Sequence, residues 1–297
     1  MTGTQTMDEV QVPPEWGRLT LKNISGTLMV IGAPDTGKST FSCYLYRRLC
    51  ATHTRVAFID GDIGQSTLGP PTTMTVVIGQ PGDAAFPPGG PRHRFFVGDN
   101  SPRGHMLPTL IGTYKLARYA QKHGATVTIV DTTGLVDRSQ GGGALKRAKV
   151  DLLRPTTVFA LQRRKELEHL LVPLRRSGRT RVVDLPVSPA VRPRDVSARR
   201  AHRAYMFRQY FSGAGTLEVA WSRLAVMPAP IFKRGQLVAL EDVEGFALEI
   251  GVVLQEDPAS RTLLIRTPAR TLDDVDAIRV GDLILDPSLC PEVYDQR

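Results

Sequence analysis

Eight residues, Gly32-Ala33-Pro34-Asp35-Thr36-Gly37-Lys38-Ser39, constrain this chain more than any other stretch. They fit G-x-x-x-x-G-K-[ST], and they lie between an apolar run, Thr27 to Gly32, and a segment in which Phe41, Tyr44, Leu45 and Leu49 repeat at helical spacing. A short apolar run closed by glycine is the pattern of a strand buried on both faces of a parallel sheet. In a strand, loop and helix of this kind, successive backbone N–H groups form a concave anion site and the helix N-terminus adds its positive end. Lys38 then neutralises the β- and γ-phosphates of a nucleotide, and the Ser39 hydroxyl reaches Mg²⁺. Gly32, Asp35, Thr36, Gly37 and Thr40 complete the expected nucleotide-binding loop.

The pattern continues as alternating strands and helices. Strands are predicted at Arg55 to Asp60, Ala125 to Asp131, Thr156 to Leu161 and Arg181 to Leu185, with helices at Leu107 to Gln121 and near Lys165 to Arg175. Shorter strands are expected at Thr73 to Ile78 and Arg94 to Val97. After Gly215 only short runs separated by turn clusters remain, an all-β signature. The expected fold class is α/β: a P-loop NTPase three-layer domain with a mainly parallel sheet, plus a small C-terminal all-β domain. The expected divisions are a lead segment (1–26), a P-loop kinase domain (27–190), an Arg-rich lid (191–212) and the β domain (213–297).

Composition narrows the class of protein. With 41% hydrophobic and 23% charged residues among 297, disorder, collagen and coiled coil are poor fits. Cys43, Cys50 and Cys290 are too few and too irregular for a disulfide framework or a four-ligand zinc site. Met1 to Val12 lack an apolar signal region, and no stretch approaches a membrane span, so a soluble cytoplasmic protein is expected. The formal charge of +9 is uneven. Residues 1–161 carry 17 basic and 11 acidic side chains, residues 162–212 carry 13 and 4, and residues 213–297 carry 8 and 14.

Two carboxylate segments follow apolar strands: Asp60-Gly61-Asp62-Ile63-Gly64-Gln65 and Asp131-Thr132-Thr133-Gly134. A P-loop enzyme needs a carboxylate for Mg²⁺ or its waters, and a transferase also needs a group to orient the attacking hydroxyl. Asp62 and Asp131 are the candidates, although a lone Asp is often only a turn or cap residue. Asp131 to Gly134 also spells the D-x-x-G of GTPases, but no Asn-Lys-x-Asp tetrapeptide follows. Residues 192–211 are rich in arginine; Ser197 is the expected cap of a helix reaching Tyr210 or Phe211. Arg199 and Arg203 share a helix face, and Arg194 lies in the approach. Arginine offers a planar fork of donors to a transferring phosphoryl group, so this segment reads as a mobile lid.

Taken in order, the P-loop Gly32 to Thr40, Asp62 to Gln65 with Gly69-Pro70-Pro71, Asp131 to Gly134, and the basic run ending Arg208-Gln209-Tyr210-Phe211 resemble the Clp/Grc family of polynucleotide 5′-hydroxyl kinases. The resemblance covers Thr27 to Phe211 in a short, prokaryote-like form. It implies that Lys38 and Ser39 bind ATP and Mg²⁺, and that Asp62 activates a 5′-hydroxyl with Gln65 nearby. It further implies that Thr132 and Thr133 clasp the phosphates and that Arg194 and Arg199 are paired lid arginines. Arg200 and Arg203 belong to the same basic run, expected to neutralise substrate phosphates. Asp131 and Leu135 stand where many eukaryotic members have Asn and Trp. Trp16 has two readings, a neighbour of the nucleotide base or a buried packing residue.

The function expected from this resemblance is ATP-dependent phosphorylation of the 5′-OH of RNA or DNA, with a nucleic acid and ATP as partners and no membrane. A GTPase or ATPase switch working through protein partners, and a non-catalytic scaffold that holds ATP, are the alternatives.

Overall fold

The computed structural model describes residues 12–286 except 54, 81, 83 and 84. Most of the lead segment's first half and Cys290 lie outside the described residues. In chain order the elements are α1 (Pro14–Gly17), β1 (Gly26–Gly32), α2 (Lys38–Cys50), β2 (Val56–Gly61), β3 (Thr73–Ile78), β4 (Arg92–Phe96), α3 (Met106–Lys122), β5 (Val127–Thr132), α4 (Gly142–Leu153), β6 (Thr157–Gln162), α5 (Glu168–Ser177) and β7 (Arg181–Pro186). There follow α6 (Val196–Phe211), β8 (Gly215–Ala220), β9 (Ala225–Met227), β10 (Gln236–Glu241), β11 (Ala247–Asp257), β12 (Thr262–Thr267) and β13 (Ala277–Ile284). Two compact units divide them. One takes residues up to Ile59 with Val77–Pro91 and Ala117–Arg194; the other takes Asp60–Val76, Arg92–Leu116 and the chain from Asp195 onward.

The first unit is built on strands in the order β7-β6-β1-β5-β2. β1 is central, parallel to β5 with Val30 opposite Asp131 and parallel to β6 with Gly32 opposite Leu161. Helices cover both faces of such a strand, which is why Leu28 to Gly32 are buried without interruption and why the sequence shows no alternation there. α2 buries Phe41, Leu45 and Leu49 against the sheet. Trp16 stacks edge-on to Phe41 at 5.1 Å and lies against Tyr44, 2% exposed, so its role is packing. Cys43 and Cys50 are buried in α2.

α4 had no counterpart among the predicted helices, for a physical reason. Its buried face carries Lys146 and Lys149, 1% and 0% exposed, beside Leu145, so the apolar period a sequence reading relies on is broken by two lysines.

In the second unit β10 pairs antiparallel with β11 and β13, β12 pairs with β11 and β8, and β9 runs parallel to β13. This is the all-β region expected after Gly215, with two additions: β9, and a β13 that begins at Ala277 rather than Asp282. Its added residues, Ala277 to Gly281, include Arg279, which donates to the buried carboxylate of Glu241 at 2.6 Å. β4 joins the edge of β11 through Ala247 and Arg94. Phe207 and Phe211 of α6 pack into the same cluster as Phe96, Leu237, Ala239 and Ile250. The helix is therefore rooted in the β core by its C-terminal turn. Its N-cap is Asp195, not the predicted Ser197: the Asp195 carboxylate accepts from the Ala198 N–H at 2.7 Å and from the Ser197 hydroxyl.

The basic run of residues 162–212 is divided between the two units. Nine of its 13 cationic side chains, Arg163 through Arg194, belong to the first unit, and only Arg199, Arg200, Arg203 and Arg208 ride on α6.

Candidate active site

The phosphate loop leaves β1 at Gly32 and enters α2 at Lys38. Gly37 caps the helix in the left-handed region, φ 81°, which a residue with a Cβ adopts only under strain. No side chain caps α2, so its first N–H groups keep their full donor capacity for an anion. Lys38 is 6% exposed and its Nζ donates to the Ala33 carbonyl at 2.7 Å, folding the ammonium back over the loop. The Thr36 hydroxyl donates to the same carbonyl at 2.9 Å. A neutral carbonyl is a weaker acceptor than a phosphate oxygen, so the ammonium is held in place without being committed. Ser39 and Thr40 are half-buried in the first turn of α2.

The second carboxylate segment lies against this loop. A Cβ built on Gly134 would come within 3.0 Å of Pro34, so only glycine permits the approach. Asp131, 2% exposed, sits at the end of β5 opposite Val30, two residues before Gly32. The Thr132 hydroxyl donates to the Val30 carbonyl at 2.7 Å and so ties β5 to β1. Thr133 is held from below by Lys146, whose Nζ donates to the Thr133 carbonyl at 2.6 Å. Arg163, at the end of β6, donates to the carbonyls of Pro34 and Asp35. Neither Lys146 nor Arg163 was singled out from sequence. Lys146 was hidden in an unpredicted helix, and Arg163 is one of several adjacent basic residues that spacing alone does not set apart.

Asp62, Gln65, Arg199, Arg200 and Arg203 lie in the second unit. Asp62 Oδ1 accepts from the N–H groups of Gly64 and Gln65, each at 3.1 Å, leaving Oδ2 outside that turn. Gln65 donates to the Arg199 carbonyl at 3.3 Å, and His202 Nε2 lies 3.0 Å from the Ser66 carbonyl. The Asp62 loop and the arginine helix thus hold each other directly, although 134 residues separate Gln65 from Arg199. Arg203 is half-buried, and its guanidinium is held below the usual arginine range by that burial and then by the charges of Arg200 and Arg199. It stays cationic, but three crowded guanidiniums are relieved by an anion. Arg194 is exposed in the approach to α6 and belongs to the first unit.

Asp60, which the sequence reading passed over in favour of Asp62, organises the loop. Its carboxylate is 2% exposed and accepts from Thr67 N at 2.6 Å, Leu68 N at 2.9 Å and the Thr67 hydroxyl. Burial pushes its pKa up to about 6 against the pull of the Thr67 and Leu68 hydrogen bonds. No group of three or more His, Cys, Asp or Glu side chains among the described residues could hold a metal by itself.

A strand, loop and helix with this donor pattern, on a central parallel strand with a buried aspartate beside it, define a P-loop nucleotide-binding protein. Residues 32–213 match the family described as mRNA cleavage and polyadenylation factor CLP1 P-loop, and the chain belongs to that family. It is 30% identical over 215 residues to the polyribonucleotide 5′-hydroxyl-kinase of Pyrococcus furiosus, covering 72% of this chain and 58% of that one. It is 29% identical over 222 residues to the enzyme of the same name from Methanocaldococcus jannaschii, covering 75% and 59%. The chain spans about three fifths of the length of these two relatives. The solved structure of a wild-type Clp1p–Pcf11p (454–563) complex shares the fold, with a TM-score of 0.67 at 13% identity over 89% of this chain and 76% of that chain. Among the described residues no helix is long and apolar enough to cross a membrane.

Proposed function

We propose that the protein is an ATP-dependent polynucleotide 5′-hydroxyl kinase, moving the γ-phosphate of ATP to the 5′-OH of an RNA or DNA strand in the cytoplasm. The observation that carries this reading is the direct hold of the Asp62 loop on the arginine helix, within a chain of the CLP1 P-loop family. A nucleotide switch has no use for a carboxylate-bearing loop braced against an arginine-bearing helix, whereas a phosphotransferase acting on a phosphate-rich substrate needs both.

In this reading the loop N–H groups and Lys38 hold the β- and γ-phosphates, with Thr133 and Thr132 bordering them. The Asp62 carboxylate accepts the proton of the attacking 5′-hydroxyl, and Gln65 fixes its loop. Arg194 and Arg199 stabilise the charge that spreads over the transferring phosphoryl oxygens, while Arg200 and Arg203 contact substrate phosphates. Ser39, Asp131 and Asp62 supply the hard oxygen donors that suit Mg²⁺, which takes one or two carboxylates beside phosphate oxygens and waters; bound there, it would neutralise phosphate charge. A buried aspartate at the end of β5 fits that demand without a three-acid cluster.

The test incubates the protein with γ-labelled ATP, Mg²⁺ and 5′-hydroxyl oligonucleotides, beside Lys38→Ala and Asp62→Asn. Label should appear on the 5′ end in the wild type and fall sharply in both variants. Phosphate release indifferent to oligonucleotide would favour a switch, and ATP binding without product would favour a scaffold; either result overturns the kinase reading.

A further inference from the structure

The first unit contains a cavity of about 770 Å³ between α4 and α5, within the usual size range of small-molecule sites. None of Gly32 to Thr40 lines it. Its apolar lining comes from Ile31, Val150, Leu170 and Leu174, an extension of the core cluster on that face of the sheet. Its polar lining is cationic: Lys146, Arg147, Arg154 and Arg179, against the single acid Asp151. The Ser177 and Thr180 hydroxyls also line it, donating to the carbonyls of Leu174 at 2.8 Å and Pro155 at 2.9 Å.

Arg154 supplies an independent observation. It closes α4 in the left-handed region, φ 45° and ψ 59°, with its N–H on the Val150 carbonyl. Glycine is the residue that ordinarily takes this position, and α5 does close on one, Gly178. An arginine held there against its backbone preference, with the cavity beside it, points from strain toward function.

An occupant must present an apolar body to the floor, negative charge to three guanidiniums, and a donor edge to Asp151. Inorganic phosphate leaves the floor unused, and a fatty carboxylate leaves Asp151 unused. A nucleotide meets all three demands: its base is flat and apolar on its faces, its ring amines can donate to a carboxylate, and its phosphate suits arginine forks. We propose that this cavity is a second nucleotide-binding site, taking a purine or pyrimidine ring between α4 and α5 and its phosphate on Arg147, Arg154 and Arg179. The nucleotide comes either free or as one unit of a bound strand. Lys146 lines the cavity while its Nζ holds the Thr133 carbonyl, so the site shares a side chain with the segment beside the phosphate loop.

The test is calorimetric titration of the full chain carrying Mg²⁺ and one molar equivalent of a non-hydrolysable ATP analogue, enough to occupy the phosphate loop and leave the cavity open. The probes are AMP, a 5′-phosphorylated hexanucleotide and inorganic phosphate. A further binding event is expected with AMP if the source is a free nucleotide, or with the hexanucleotide alone if it is a strand. Arg154→Gly with Arg179→Gln should weaken that event by about tenfold or more, the usual scale for losing charge-assisted hydrogen bonds. Leu174→Trp, which fills the cavity without changing charge, should weaken it similarly. Arg154→Gly alone should leave the melting temperature unchanged or raised, because it relieves the left-handed backbone; reduced binding in a protein no less stable separates a ligand contact from a structural role. The analogue should bind the phosphate loop equally in all variants. The proposal is overturned if no further event is seen, if inorganic phosphate competes on equal terms, or if the charge and filling variants bind as the wild type does. Because the readout is binding, it is independent of whether phosphate is transferred.

Discussion

The two groups of site residues are built in opposite ways. In the first unit the anion site is local: Gly32 to Thr40 are contiguous, their donors are backbone N–H groups, and their position follows from a strand feeding a helix. In the second unit local turns depend on distant supports. Asp62 is aimed by a loop that Asp60 organises, the loop is held by Arg199 and His202 of α6, and α6 is held by Phe207, Tyr210 and Phe211 in the β core. Tyr210 donates to Glu249, accepts the Ile250 N–H at 2.8 Å, and lies under the Arg94 guanidinium. Burial and then the Glu249 charge raise its hydroxyl pKa, so it acts as a neutral donor at any ordinary pH. A local site tolerates changes far away, whereas a relayed one fails wherever the relay is cut. On this view the C-terminal strands are the foundation of the arginine helix.

That contrast can be broken by substitution. Lys38→Ala should lower phosphate transfer by about 10³-fold, near 4 kcal/mol of transition-state stabilisation, with little change in melting temperature. Phe207→Ala empties a core position 2% exposed and should cost about 3 kcal/mol of stability, read by denaturant unfolding. It should also impair transfer while nucleotide affinity at the phosphate loop persists; equal loss of both would refute the separation of a local from a relayed site. Asp62→Asn should reduce transfer by about 10²-fold with nucleotide binding intact. Tyr210→Phe leaves Glu249 and the Ile250 N–H without their hydroxyl partner and should cost about 1–2 kcal/mol, again with nucleotide affinity unchanged.

The smallest effect should come from His105, which links the start of α3 to β13 through Asp282 at 2.7 Å. Partial burial is the largest single influence and works against its charge, but the hydrogen bonds to Asp282 and the Arg103 carbonyl, with the charges of Asp99 and Asp282, together outweigh it and raise the imidazole pKa above the usual value. A raised folded pKa means that the imidazolium stabilises the fold below about pH 6.5 and that this contribution is lost as pH rises through the folded value. His105→Gln should therefore lower the melting temperature at pH 5.5 and leave it nearly unchanged at pH 9.

Much of this was legible in one dimension. The strand, loop and helix around Lys38, the parallel α/β domain and the β-rich end all follow from apolar periodicity and a motif whose geometry is local. Where reading failed, side chains were satisfied by distant partners. The α4 helix was masked because Lys146 and Lys149 occupy its buried face, and the cap of α6 fell to Asp195 over the neighbouring Ser197. The residues from 162 to 212 read as one concentration of positive charge because sequence has no way to show that Arg175 is spent on Glu168 and Asp184.

The sequence by itself determined where the phosphate-loop motif lies and what kind of sheet carries it, because both depend on residues a few positions apart. Only the tertiary structure decided which aspartate organises the second loop, what holds the arginine helix, and that most of the basic run belongs to the other unit. Those depend on burial and on partners more than 100 residues away, such as Gln65 and Arg199, and spacing along a chain carries no record of them.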